Sequence, residues 1–399
     1  MVGGHISTIA TYCAVSATLT AAICCYARTF GRVMRLVDRP DGTRKLHELE
    51  TPLIGGLALL IPSFGVSIVY LINVVHAPFM MVAVAAAAFT LVVGLIDDVS
   101  GLSPVWRVVA MTFVIFAAFS VEPIFVLHTL RLGIIGSSIP ITLGVVAAPI
   151  TALIILGFAN ASNMADGMNG QLLGSVIVWS LFISLHLGID IGLPFVAIIC
   201  SAIVTVVFNL RGKLFSGSSG AYAVSLFVAL GAIAAYRLPS GAMPAELPIL
   251  WFWLPVVDCV RLMITRLLRG KSPFAGDRSH FHHKLHDYMR MRYALVVYLV
   301  FLAAPGVVAE FSAAWGGITL LVCISSYVTF TVVRHAHLAK ESVTAAASPS
   351  LSLPAAASFP VAAHAAPVMQ HRRGAILTQP KPALALQDGA RPTETRASA

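Results

Sequence analysis

The chain has 399 residues, 58% of them hydrophobic and only 11% charged, and the apolar residues arrive in long blocks that a water-soluble enzyme would not carry. A net charge of +9 would suit nucleic acid, but the basic residues bracket apolar blocks and form no basic domain interleaved with aromatics, so no nucleic-acid partner is expected. The bilayer is the expected surroundings.

A membrane-crossing helix needs roughly 20 mainly apolar residues. Blocks that qualify, or nearly so, lie near 6–26, 53–73, 79–96, 107–127, 139–160, 172–187, 192–210, 220–237, 247–267, 293–309 and 313–333. The expected fold is all-α, a polytopic membrane bundle of about eleven helices, or ten if one of the shorter blocks is re-entrant. The first block lacks a basic leader and a small-residue cleavage site, so it reads as a retained span. Cys13, Cys24, Cys25, Cys200, Cys259 and Cys323 all fall in expected spans, where they act as small apolar packing residues.

With the N-terminus outside, the loops around 27–52, 97–106, 161–171, 211–219 and 268–292 are cytoplasmic and hold most of the Lys and Arg. Arg131 and Arg237 are essentially all that the short outer loops carry, a strong positive-inside bias. The expected location is a bacterial inner membrane with a cytoplasmic C-terminus. Residues 1–337 would form the membrane domain, and 338–399, rich in Ala, Pro, Ser and Thr, a disordered tail.

The polar motifs lie almost wholly on those five inner loops, whereas a transporter would place polar groups at the mid-plane in paired broken helices. In RLVDRPDGTRKLHELETPLIGG, Arg44, Lys45 and His47 either hold phosphates or anchor the loop to the membrane surface. In GLIDDVSGLSPVWR, Asp97 and Asp98 are adjacent carboxylates just beyond an apolar helix, and such a pair needs a compensating cation or basic group. Together they suit a hard cation such as Mg²⁺, or proton transfer, or a merely solvated helix end.

GFANASNMADGMNGQ gathers Asn160, Asn163, Asp166 and Asn169 among glycines, a compact turn with amides and a carboxylate suited to a sugar or nucleotide. Asp258 and Arg261 share a helix face, as an ion pair would. After them RLLRGKSPFAGDRSHFHHKLH sets Arg278, His280, His282 and His283 beside Arg269 and Lys271. This cluster suits a diphosphate better than zinc, because its spacing is not a zinc signature.

Read in order, VDRPDGTRKLH with TPLIGG, GLIDD, NMADG and the PVVDCVRLMITRLLRGKSPFAGDRSHFHHKL stretch resemble the bacterial polyprenyl-phosphate N-acetylhexosamine-1-phosphate transferases of glycosyltransferase family 4. The DRSHFHH form is similar to the N-acetylglucosamine-1-phosphate branch, which starts O-antigen and related lipid-linked glycans. The resemblance implies a UDP-N-acetylhexosamine and undecaprenyl or another polyprenyl phosphate as substrates, Mg²⁺ (or Mn²⁺) as cofactor, release of UMP, and an assembly that allows a homodimer.

Residue by residue, the resemblance implies that Asp97 and Asp98 serve metal binding and catalysis, and that Asp166 is catalytic. Lys45, Asn163, Asn169, Arg278, His280, His282 and His283 would bind substrate. Two positions depart from the pattern: Asn169 stands in DGMNG where the family commonly shows Asp, and LFSGSSGAY has Ser218 where a key Asp is expected. A neutral hydroxyl is a poorer Mg²⁺ ligand than a carboxylate. The alternatives are therefore a catalytically impaired homologue that binds lipid or nucleotide and, third, a transporter.

Overall fold

The computed structural model describes residues 2–38, 50–134, 137–238, 243–272, 279–312 and 315–347. Its helices are α1 (Val2–Cys25), α2 (Ala27–Val33), α3 (Gly55–Asn73), α4 (Pro78–Ser100), α5 (Pro104–Val121), α6 (Ala147–Ala165), α7 (Gln171–Leu210), α8 (Gly217–Arg237), α9 (Glu246–Leu268), α10 (Phe281–Tyr288), α11 (Met291–Phe311) and α12 (Gly316–Ala347). Two small antiparallel hairpins pair β1 (Val37–Asp38) with β2 (Thr51–Pro52) and β3 (Thr129–Ile134) with β4 (Ser137–Thr142). Contacts divide the chain after Lys340. Of the tail read at 338–399, residues 338–347 continue α12, and the rest lie outside the described residues.

Nine helices among the described residues are long and apolar enough to cross a membrane, and the apolar part of α12, Gly316–Thr331, is a shorter tenth. The 40-residue α7 is two antiparallel arms. Its backbone leaves helical geometry at Gly188, with φ 74°, and a Cβ built on Gly192 would meet the backbone of Ser184. At its far end the N–H of Gly170, just before the first arm, donates to Asn209 Oδ1 near the end of the second. The two arms match the separate blocks read at 172–187 and 192–210.

The largest departure lies at 122–146. The helix matching the block read at 107–127 ends earlier, at Val121, and the one matching the block at 139–160 begins later, at Ala147, because β3 and β4 occupy the stretch between α5 and α6. The stretch read as a short outer loop thus holds a hairpin of its own. The hairpin is tied to the bundle through Arg131 N–H donating to Tyr236 Oη (2.7 Å) and Gly133 N–H donating to Glu246 Oε1 (2.8 Å).

Helix α8 is the axis, buried from Ser219 to Tyr236, as a helix apolar on all sides requires. It crosses α3 and α4 where only glycine fits: a Cβ on Gly220 would come within 2.7 Å of Gly56 Cα, and one on Gly94 would overlap Ser219 Cα. Between helices in lipid, such close backbone approach takes the place of hydrophobic driving force. A buried hydroxyl cluster of Ser16, Thr20, Ser63 and Ser201 joins α1, α3 and α7 in the same way. In α9, Pro255 has no N–H for the carbonyl of Trp251, and Trp179 Nε1–H donates to that oxygen instead (2.8 Å).

Gly220→Ala should destabilise the bundle by about 1–3 kcal/mol, the usual cost of forcing extra volume into a packed contact. Thermal unfolding in detergent checks this. Because the opposing atom is backbone and cannot rotate away, an unchanged midpoint would show that α3 and α8 do not approach this closely.

Candidate active site

The ends of α4, α6 and α9 and the starts of α5, α8 and α10 meet at one end of the bundle. Asp97, buried on α4, accepts a hydrogen bond and ion pair from Arg107 Nη1 of α5 at 3.0 Å. Half-buried Asp98 faces the start of α8, where its Oδ1 accepts the Ser218 N–H (2.8 Å) and its Oδ2 the Ser219 N–H (3.0 Å). First-turn N–H groups have no partner within their own helix and carry partial positive charge, so a carboxylate from α4 completes α8. Gly217 permits the approach: its φ is +72°, and a Cβ there would come 2.6 Å from Asp98 Oδ2.

Asn163, near the end of α6, donates from Nδ2 to Tyr222 Oη of α8 (3.1 Å), and the Arg107 guanidinium lies 5.8 Å from the centre of the same ring. Arg107 and Tyr222 thereby link the two aspartates to the NMADG turn. Neither residue is given a role by the sequence reading, although both stand in its motifs.

Asp166 ends α6 and Asn169 sits half-buried in the same turn. Burial pushes the Asp166 pKa up to about 7, against the lowering effect of the Leu172 N–H. A carboxyl raised in this way keeps a proton in the folded chain that the unfolded chain has already released. Stability should therefore fall as pH rises from the ordinary 3.8 to about 7 and then level off. Unfolding midpoints of wild type and Asp166→Asn at about pH 5 and about pH 8 test this: the wild type should lose more, and parallel shifts would contradict a raised Asp166.

The histidines approach this turn from α10. His282 is only 2% exposed, and a Cβ on Gly167 would overlap its ring at Nε2, so Gly167 of NMADG is the surface on which His282 rests. Burial first, and then the neighbouring His283 and His280, hold the His282 pKa down to about 3, so the ring is neutral near pH 7. Gln171 Nε2 faces its Nδ1 at 3.4 Å. The His283 ring packs on that of His282 with centroids 4.2 Å apart, and His280 lies nearly parallel to it at 5.5 Å.

His280 donates from Nδ1 to Asp258 Oδ2 at 2.8 Å, and Arg261 pairs with the same carboxylate at 3.0 Å. Asp97, Asp98, Asn163, Asp166, Asn169, His280, His282 and His283 thus come from separate stretches to one end of the bundle. Lys45 and Arg278 lie outside the described residues. The first loop is joined there through the Gly55 N–H donating to Phe215 O (2.8 Å) and the Phe215 N–H to Pro52 O (2.8 Å).

An apolar groove of about 480 Å³ runs along the flank, with Leu153 and Phe158 of α6, Phe252 and Val257 of α9, Ile233 of α8 and Leu130 of β3 in its walls. Helices α6 and α9 also carry Asn163 and Asp258, so the groove follows the two helices that lead to the polar end.

The family model described as glycosyl transferase family 4 matches residues 80–236. A relative from Bacillus subtilis (strain 168), "Probable undecaprenyl-phosphate N-acetylglucosaminyl 1-phosphate transferase", is 31% identical over 66% of this chain and 74% of its own length. The "Undecaprenyl-phosphate alpha-N-acetylglucosaminyl 1-phosphate transferase" of Escherichia coli (strain K12) is 28% identical over 72% of this chain and 80% of its own. The protein of the same description from Yersinia pestis is 29% identical, over 64% and 71% respectively.

Proposed function

Because the chain belongs to glycosyl transferase family 4, we propose that it transfers N-acetylhexosamine 1-phosphate, with N-acetylglucosamine the favoured sugar, from a UDP-sugar to undecaprenyl or another polyprenyl phosphate. A terminal oxygen of the lipid phosphate attacks the β-phosphorus, the bond from that phosphorus to the oxygen bridging to the α-phosphate breaks, and UMP leaves. The product is a lipid-linked sugar diphosphate that starts a cell-surface glycan such as O-antigen. The observation that carries this reading is the meeting of the paired aspartates, the NMADG turn and the histidine cluster at one end of helices that also line an apolar groove.

The donor set suits Mg²⁺. That ion is commonly bound by one or two carboxylates and completed by substrate phosphates and water, and Asp97 gives only Oδ2 to Arg107, leaving Oδ1 for a cation. When bound, Mg²⁺ would offset the negative charge that gathers on the phosphoryl oxygens. Arg107 keeps Asp97 in place, the α8 amides orient Asp98, and Asn163, Asn169 and His283 present polar atoms to the nucleotide-sugar. His282, neutral and with its Nδ1 turned to Gln171, offers Nε2–H as a hydrogen-bond donor. Asp166 is the group whose raised pKa suits proton transfer near neutral pH. The apolar groove takes the start of the polyprenyl chain and delivers its phosphate sideways from the bilayer. The location that fits the positive-inside bias is a bacterial inner membrane, with the polar end in the cytoplasm.

Purified protein with polyprenyl phosphate and sugar-labelled UDP-N-acetylglucosamine tests the reading. Label in the lipid phase supports it, binding without turnover indicates an impaired homologue, and uptake into vesicles a transporter. Ser218 gives a sharper measure. Its backbone N–H already touches Asp98, so Ser218→Asp adds a carboxylate beside that pair and should lower the Mg²⁺ concentration giving half-maximal activity. Superimposable magnesium titrations would remove position 218 from the metal centre.

A further inference from the structure

The most deeply buried carboxylate at this end is Asp258, 3% exposed on α9, and its bonds reach well beyond its own helix. Oδ1 accepts from Arg261 Nη2 (3.0 Å) and from the hydroxyl of Tyr327 on α12; Oδ2 accepts from His280 Nδ1 (2.8 Å); the Phe281 N–H lies 3.1 and 3.2 Å from the two oxygens. An ionised carboxylate has about four lone-pair sites. Four donors occupy them, so Asp258 has no acceptor site left for substrate or cation. Its role is to hold the groups that do meet substrate.

Arg261 extends the network. Nε donates to Tyr327 Oη at 2.6 Å, and Nη2 donates to the Ser279 carbonyl, also at 2.6 Å. Tyr327 Oη therefore accepts from Arg261 and must turn its own proton toward Asp258, which leaves the hydroxyl one orientation. Three consecutive residues, Ser279, His280 and Phe281, are thereby fastened at the start of α10. An ion pair serving α9 alone would need the Asp258–Arg261 contact and none of the other bonds. With Nδ1–H given to Asp258, a neutral His280 ring has its lone pair on Nε2, and the ring is fixed nearly parallel to His282, which rests on Gly167.

We propose that Tyr327 and Arg261 are positioning residues which, through Asp258, set the tautomer of His280 and the seat of α10, so that α12 supports the reaction without touching substrate. The inference rests on the transferase reading given above. Truncating a support of this kind shifts reacting groups by fractions of an ångström, and a displacement of about 1 Å can cost up to roughly a hundredfold in rate.

The test is Tyr327→Phe, which removes one hydroxyl and leaves the ring to pack against Phe281 and Trp253, with Arg261→Lys as a second variant should the first fail to insert. In protein that melts within a few degrees of wild type, lipid-product turnover should fall at least about tenfold. The ¹⁵N signals of His280, identified by their loss in His280→Gln, should move from the single Nδ1–H tautomer toward a mixture. Wild-type turnover in the folded variant, or reduced turnover with unaltered His280 signals, would overturn the positioning role. If the wild type makes no lipid product, the transferase reading fails, and the histidine signals still decide whether the network sets the tautomer.

Discussion

Asp98→Asn should lower lipid-product formation by at least about a hundredfold, within the range that a positioned acid or base contributes. Both Asp98 oxygens accept N–H groups from the first turn of α8. An amide can offer only one acceptor atom and must turn its NH₂ toward the other donor, setting donor against donor and removing the charge that α8 faces. The variant therefore loses catalytic charge and disturbs the Ser218–Ser219 turn together. Asp97→Asn keeps one oxygen for Arg107 and should cost at least about tenfold. Product formation measured beside the melting temperature checks both, and near-normal turnover in well-folded Asp98→Asn would place the chemistry elsewhere.

Gly167→Ala should also lower product formation, although it changes no polar group. The added methyl would overlap the His282 ring, and a side chain 2% exposed has no open space into which to swing. Either His282 leaves its place or α10 lifts from the NMADG turn, and a loss of about tenfold or more is expected. The double variant tells this from general damage. Since both changes act on one ring, Gly167→Ala with His282→Ala should be no worse than His282→Ala alone. Multiplying losses would mean that the two residues work independently.

How much of this was readable in the chain follows from what each signal depends on. Span positions depend on summed apolarity, and the blocks at 53–73, 220–237 and 247–267 closely match α3, α8 and α9. The span ends read at 122–127 and 139–146 misled because turns and a strand such as SSIPIT still carry apolar residues, and a window sum does not register a strand's period of two. Asp97, Asp98, Asn163, Asp166 and the histidines stood out as polar residues where apolar blocks end.

Tyr222 and Tyr327 did not stand out, because an aromatic within an apolar block reads as packing until its hydroxyl meets a partner from another helix. Position 218 was read through its side chain, as a missing carboxylate. The contact present there is a backbone N–H, which every residue except proline supplies and which leaves no mark in the sequence.

In the proposed reaction the sugar's phosphate travels with it. UDP-N-acetylglucosamine labelled with ³²P at the β-phosphorus, incubated with the protein, polyprenyl phosphate and Mg²⁺, should carry its label into the lipid phase in step with unlabelled UMP appearing in water. Label remaining in water as UDP while the sugar enters the lipid would mean transfer of the sugar alone, and would contradict the account.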